Sequence, residues 1–346
     1  MNVLHIYNVY STRQIMFLVV IACIPGICSK CYFFGCGTLI QVLSFIALSF
    51  LSETILVKVR AKSFSKNVKD NSGIVTALLL GVSVPPLIPW WMIVIGVFFS
   101  IVVAKHLYGG LGQNIFNPAM IGYAVLLISF PLHMSNWIEK NDNFLRFKDI
   151  QNAVNIIFTK NTNINNTVNV QFFPDCVTQA TPLNHFKNQT HLNYDNVIQN
   201  TINSNQQEII KVSWICINIS FLIGGLFLIY KKVICWRIPF SILLTLCLCS
   251  SINYFFLKNI SSSPLVHLFS GGTMICAFFI ATDPVTTACT NIGRIIFGIL
   301  VGFLVYFIRN YSDYPDSIAF AVLFSNMITP LIDYYIRYSG YGHKRI

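Results

Sequence analysis

Apolar residues run along this chain in blocks, each long enough or nearly long enough to cross a bilayer, with short polar punctuation between them. A helix spanning the hydrocarbon needs about 20 predominantly apolar residues. Every backbone N–H and C=O must also be paired internally there, so such blocks are read as helices. The blocks predict ten, at approximately 15–34, 36–57, 72–88, 90–107, 117–134, 212–231, 238–257, 265–281, 294–309 and 317–335. The runs at 72–88 and 265–281 are among the shortest. Only Arg13 precedes the first run and no clear small-residue cleavage site follows it, which predicts a retained helix rather than a signal peptide. The expected fold class is an all-α polytopic membrane protein with about ten transmembrane helices.

The pattern also repeats weakly. Gly73 to Pro85 aligns with Gly272 to Pro284 at the same Gly-to-Pro spacing, and Asn117-Pro118 onward aligns with Tyr314-Pro315 onward at nearly the same offset. Two matches in the same order suggest two five-helix halves, residues 1–134 and 212–346, the second inverted relative to the first because each has an odd number of spans. A polar, asparagine-rich stretch, 135–211, lies between them. Inverted repeats place binding sites near the midplane at interrupted helices. Proline interrupts a helix because it lacks an N–H and clashes with the preceding turn, so Pro85, Pro86, Pro89 and Pro284 mark the expected breaks.

Composition agrees with this class: of 346 residues, 55% are hydrophobic and 10% charged. A net charge of +11 would point a soluble protein toward nucleic acid, but the distribution accounts for it here without a nucleic-acid partner. Arg13, Lys58, Arg60, Lys62, Lys66, Lys69, Lys105, Lys231, Lys232, Arg237, Arg294, Arg337, Lys344 and Arg345 fall on one side of the ten-helix arrangement. Only Lys30, Lys211, Lys258 and Arg309 fall in short loops on the other. By the positive-inside rule both termini face the cytoplasm and the 135–211 loop is external.

The chemistry-bearing candidates are few. Cys28, Cys31 and Cys36 form a C-x2-C-x4-C cluster, while most other cysteines lie inside apolar runs, where Cys behaves as a small hydrophobe; no metal site is expected. Gly109-Gly-Leu-Gly112 reads as a tight turn rather than a nucleotide fingerprint. Asp283 before Pro284 fits a helix N-cap, and an acid at the end of an apolar run is also a candidate ion contact. In the external loop, Asp175-Cys-Val-Thr178-Gln-Ala180-Thr181 has the form D-x-x-[ST]-x-A-[ST], which resembles the acceptor for covalent flavin attachment through a threonine phosphoester.

Longer stretches extend that resemblance. Lys69-Asp-Asn-Ser-Gly73, Val84-Pro-Pro-Leu-Ile-Pro-Trp-Trp91, Lys105-His-Leu-Tyr-Gly-Gly-Leu-Gly-Gln-Asn114, Phe116-Asn-Pro-Ala-Met-Ile-Gly122 and Ala281-Thr-Asp-Pro284 resemble the D subunit of the Rnf complex. So do Tyr314-Pro-Asp-Ser-Ile-Ala-Phe-Ala-Val-Leu-Phe324 and Pro330-Leu-Ile-Asp-Tyr-Tyr335. That complex is an ion-translocating electron-transfer assembly, called Rsx where it reduces the SoxR regulator; the B subunit of the sodium-pumping NADH:quinone reductase is a more distant relative. The resemblance implies a multi-pass subunit of a six-subunit bacterial inner-membrane complex, passing electrons between ferredoxin and NAD in step with sodium or proton movement. It implies FMN on Thr181, installed on the periplasmic face by a flavin transferase, with Asp175, Thr178 and Ala180 completing the attachment motif. A second, noncovalent flavin stays open. The isolated chain is expected to be a translocase subunit without a catalytic residue of its own. The competing reading is an inverted-repeat secondary transporter or channel without a redox cofactor, which explains the helices but leaves the acceptor motif idle. A scaffold that has lost its flavin is a third.

Overall fold

The computed structural model describes residues 10–59, 70–110, 112–137, 147–159, 204–256, 263–312 and 317–336. Among them the secondary structure is helical throughout, and each of the ten apolar runs forms helix. Helix α1 spans Thr12–Phe34, α2 Gly37–Val59, α3 Ser72–Ser83, α5 Pro118–Ser129 and α6 Pro131–Met134. Helix α4 covers Trp90–His106, α-helical at first and π-helical over Phe98–His106. Helix α7 is Phe147–Thr159, α8 Ser204–Tyr230, α9 Arg237–Phe256, α10 Pro264–Phe269, α12 Asn291–Tyr311 and α13 Ile318–Tyr335. Between α10 and α12 lies α11, Thr273–Ile275, which runs on into a π-helical turn, Cys276–Ile280. Among the described residues, six helices are long and apolar enough to cross a membrane: α1, α2, the Val212–Tyr230 part of α8, α9, α12 and α13.

The long helices turn large apolar side chains outward, among them Phe17, Ile24, Leu43, Phe50, Phe303 and Phe307. In water such a surface would aggregate; in lipid it is the solvated face. Burying apolar area does not drive helix association in lipid, so close packing through small residues must hold the bundle together. A Cβ on Gly224 of α8 would lie 2.0 Å from the Ala22 carbonyl oxygen of α1. On α12, Cβ atoms at Gly298 and Gly302 would lie 1.8 and 1.9 Å from the Ser241 and Thr245 hydroxyls of α9. Glycine at these three positions lets each helix pair meet backbone to backbone.

The short helices α3 and α11 occupy the centre, and nearly every residue in them is buried. Both fall in short apolar runs, and both runs are interrupted. Helix α3 stops at Ser83, where Val84 turns extended ahead of Pro85 and Pro86, and Leu87 takes a left-handed φ of 65°. A non-glycine residue in such a conformation costs about 1–3 kcal/mol and persists only where its surroundings hold it. Here the Leu87 side chain packs over the bare Cα of Gly37, where a Cβ would meet it at 2.5 Å. The run at 265–281 is broken at Ser270–Gly272, with Gly271 at φ +64°.

Two further departures from the sequence reading concern the polar stretch 135–211. It contains α7, and α8 begins at Ser204, before the apolar run itself. Helix α7 is amphipathic: Ala153 and Ile157 are buried, and the helix packs on α2. Ile150, Val154 and Phe158 recur at helical spacing on a second, exposed stripe. The interleaved asparagines disguise that period in the sequence. The glycine-rich turn is as expected, with Gly109, Gly110 and Gly112 at φ +127°, +112° and +90°, values that favour glycine.

Candidate functional site at the ends of the two short helices

The acceptor motif, with Asp175, Thr178, Ala180 and Thr181, lies outside the described residues, between α7 and α8. The described candidates gather instead where α3 and α11 begin and end. An interrupted helix exposes unpaired N–H groups at its start and unpaired C=O groups at its end. At membrane depth these must be closed by other protein groups.

Asp283 sits in the irregular segment that follows α11, as the expected break requires, but it does not cap a helix. Its carboxylate accepts from the Val285 N–H and from the Thr286 hydroxyl at 3.2 Å, closing a turn around Pro284. The next helix, α12, starts only at Asn291, and its N-cap is Thr290, whose hydroxyl accepts from the Gly293 N–H. The N-cap expectation for Asp283 is therefore corrected: the signal Asp-Pro is shared by turns and helix starts, and the chain stays non-helical for another seven residues. A second acid joins this segment, since Asp333 of α13 accepts from the Cys289 N–H at 3.0 and 3.2 Å. Arg294 donates to the Ala288 carbonyl at 3.1 Å and so also ties it to α12.

The C-terminal end of α3 receives a charge. Lys30 of α1 is 5% exposed, and its ammonium donates to the carbonyls of Val82 and Val84, the latter at 3.1 Å. The same ammonium lies 4.6 Å from the centre of the Trp137 ring. Trp137, Trp214 and Phe34 pack edge to face around it, with centroids 5.1–5.8 Å apart. Next to Lys30 is a cavity of about 50 Å³, lined on one side by Ser83, Met120 and Tyr123 and on the other by Asn218, Gly271 and Ile280.

The C-terminal end of α11 receives an amide. Asn117, the N-cap of α5, donates from its side chain to the Ile280 carbonyl at 3.0 Å while its own oxygen accepts from Ala119 and Met120. With the Asn326 amide oxygen facing the Asn117 N–H at 3.1 Å, the Asn326 nitrogen donates to Val322 and Thr286 at 3.3 Å. At the break before α11, one side chain does most of the closure. The Asn218 amide of α8 donates to the carbonyls of Trp214, Phe269 and Gly271, each at 2.9 Å, and its oxygen accepts from the Met274 N–H at 3.2 Å.

The N-terminal ends of the two short helices are each met by a buried cation. At α3, Lys105 of α4 pairs with Glu53 of α2 and donates to the Ser72 hydroxyl at 2.8 Å; His106 Nε2 is 4.0 Å from the same carboxylate. A Cβ on Gly73 would lie 2.3 Å from that carboxyl group, so the glycine admits it. At α11, Arg309 of α12 donates to the His267 carbonyl at 2.8 Å and to the Thr273 hydroxyl at 3.0 Å.

Sequence reasoning missed this set. Lys30, Lys105 and Arg309 count as loop charges by position, yet they are 5%, 4% and 6% exposed. Each sits near the end of a helix, where a long side chain can equally well snorkel outward. Glu53 and Asn218 were legible in principle, the first as the one charged residue of the 36–57 run and the second as an amide between Ile217 and Ile219. No disulfide joins any of the ten described cysteines, and no three His, Cys, Asp or Glu side chains among the described residues converge as metal ligands.

An all-α bundle clothed in apolar side chains, with two interrupted helices closed at its centre by buried polar groups, defines a polytopic membrane protein that concentrates its polar chemistry at helix breaks. Residues 2–342 match the NQR2, RnfD, RnfE family, and the chain belongs to that family. It is 57% identical to the D subunit of the ion-translocating oxidoreductase complex of Buchnera aphidicola subsp. Acyrthosiphon pisum (strain 5A), over the whole of both chains. It is also 57% identical to the protein of the same name from Buchnera aphidicola subsp. Schizaphis graminum, over 100% of this chain and 99% of that one. With the Escherichia coli (strain UMN026) protein of that name it shares 45% identity, over 98% of this chain and 97% of that one.

Proposed function

We propose that this chain is the D-type membrane subunit of an ion-translocating oxidoreductase complex, and that it carries FMN covalently on Thr181. The observation that carries this reading is end-to-end similarity, at 57% identity, to proteins named for that role. The acceptor motif Asp175–Thr181 adds the flavin. A phosphoester needs one side-chain oxygen that a transferase can reach, and Thr181 offers it in the polar stretch between α7 and α8. Bound there, the flavin would supply the one- and two-electron chemistry; the chain's share is to hold it, orient it and set its surroundings.

In this reading the chain lies in the bacterial inner membrane as two inverted five-helix halves, 1–134 and 212–346. Both termini are cytoplasmic, and the 135–211 segment is periplasmic, where the flavin transferase acts. The other subunits of a six-subunit Rnf/Rsx assembly supply the remaining electron carriers between ferredoxin and NAD, or toward SoxR, and electron flow is coupled to sodium or proton movement. The inverted-repeat transporter reading shares the broken helices but gives the acceptor motif no work. Ultraviolet-excited flavin fluorescence on a denaturing gel separates the two. A fluorescent band at the mass of this chain, lost in Thr181→Ala, is expected; a dark band in the wild type purified with its transferase rejects the flavin-bearing role.

A further inference from the structure

The C-terminal end of α3 has the construction of a cation site. Helix-end carbonyls carry the negative end of the helix dipole. In transporters with interrupted helices, such ends and nearby unwound carbonyls are the groups that coordinate small cations. Here the two carbonyls, of Val82 and Val84, converge on one point beside the face of Trp137. That point holds the ammonium of Lys30. Among the described residues no carboxylate pairs with Lys30, so backbone dipoles and one aromatic face do what an acid usually does. A charge at such depth costs about 2.5–3.5 kcal/mol on insertion scales unless it is well met. The carbonyls, the ring and any water in the adjoining cavity therefore offset a substantial penalty. A cavity of about 50 Å³ with Ser83 and Asn218 in its wall is roomy enough for water, which needs only ~10–15 Å³.

We infer that the end of α3 is a seat for a weakly hydrated monovalent cation, occupied in the native chain by the tethered ammonium of Lys30. The chemistry selects the class. A divalent ion such as magnesium keeps its water and demands a full oxygen shell, which two carbonyls and an indole do not provide. Ammonium and potassium shed water more readily and are attracted to an aromatic face. Tethered and free cations would use the same carbonyls, so they exclude one another. Native Lys30 therefore closes the seat, and withdrawal of its side chain toward the cavity opens it. The end of α11 offers no such seat, because the neutral amide of Asn117 already occupies the Ile280 carbonyl.

The test is thermal unfolding of the purified full-length chain, with the cation varied at constant ionic strength. A ligand that binds only the folded state raises the unfolding temperature with its concentration. Lys30→Ala should unfold at a lower temperature than wild type and recover at least half of the loss in ammonium or potassium, but not in choline, which is too large for the seat. Wild type, with its seat filled, should respond equally to all three. Equal response of Lys30→Ala to ammonium and choline overturns the inference. Should Lys30→Ala fail to insert, Lys30→Arg and Lys30→Gln decide. Arginine should retain wild-type stability and glutamine, a donor without charge, should lose it; equal stability of these two variants rejects a seat that requires a cation.

Discussion

Helices α3 and α11 solve one problem in two ways. Each is a short, buried helix whose ends must be closed by protein rather than water. At the start of α3 the closure is ionic, with Glu53, Lys105 and Ser72 in one cluster. At the start of α11 a guanidinium, that of Arg309, meets a carbonyl and a hydroxyl. The far ends differ too, with a lysine at α3 and an asparagine at α11. The breaks themselves contrast most. After α3, prolines remove N–H groups that would otherwise need partners; before α11, glycines leave every group in place, and Asn218 pairs the Phe269 and Gly271 carbonyls and the Met274 N–H. The lesson is that the requirement for closed helix ends is strict, while the residue types that meet it are free to diverge.

The largest effect should come from splitting the ionic closure. Lys105→Met strands the Glu53 carboxylate in a buried site, and removing one partner of a buried pair costs about 3–5 kcal/mol. Arg309→Met removes the two charged donor contacts but leaves the Thr273 hydroxyl donating to the His267 and Ser270 carbonyls at 3.0 Å, so no group is stranded and the cost is that of hydrogen bonds to a charged group, about 1.5–3 kcal/mol. Denaturant unfolding in a fixed detergent should rank Lys105→Met below Arg309→Met, and adding Glu53→Gln to Lys105→Met should recover part of the loss. If the two single variants are equal, the two helix starts are energetically alike and the contrast between them fails.

The break before α11 comes next. Asn218→Ala leaves the Phe269 and Gly271 carbonyls and the Met274 N–H without their side-chain partner, again about 1–3 kcal/mol per group left unsatisfied. Hydrogen exchange should then rise in 269–275 and stay unchanged in 84–89, where prolines and not an amide manage the break. An equal rise in both segments would contradict separate closure.

Smaller again in stability, but sharper in function, is Asp283→Asn. An amide can still accept from Val285 and Thr286, so folding and flavin attachment should be near wild type while coupled ion movement falls. Wild-type rates for both electron transfer and ion movement would leave Asp283 with its turn-closing role alone.

Much of this architecture is readable from apolar periodicity, because hydrocarbon admits few alternatives to a helix. All ten runs are helical, and the proline-marked break after Ser83 and the tight turn at Gly109–Gly112 fall where expected. Three kinds of feature escape that reading. The break at Ser270–Gly272 carries only glycine and serine, which a membrane helix tolerates. Helix α7 hides its apolar stripe among asparagines. The buried cations look like topology signals, since a lysine near a helix end reads the same whether it points to water or to a carbonyl. Asp283 fails differently: its position at a break is legible, but Asp-Pro serves turns and helix caps alike.

The smallest structural change concerns the central claim. On the proposed assignment of Thr181 as acceptor and Thr178 as a recognition residue, Thr178→Ala should lower the yield of flavin attachment without moving it. Thr178 lies in the polar stretch outside the apolar runs, so insertion should be unaffected. The direct measurement is fragmentation mass spectrometry of the 175–187 peptide from protein made with its flavin transferase. The expected result is FMN mass on Thr181, retained in part in Thr181→Ser and absent in Thr181→Ala. Flavin localised to Thr178, or a wild-type peptide that carries none, would contradict it.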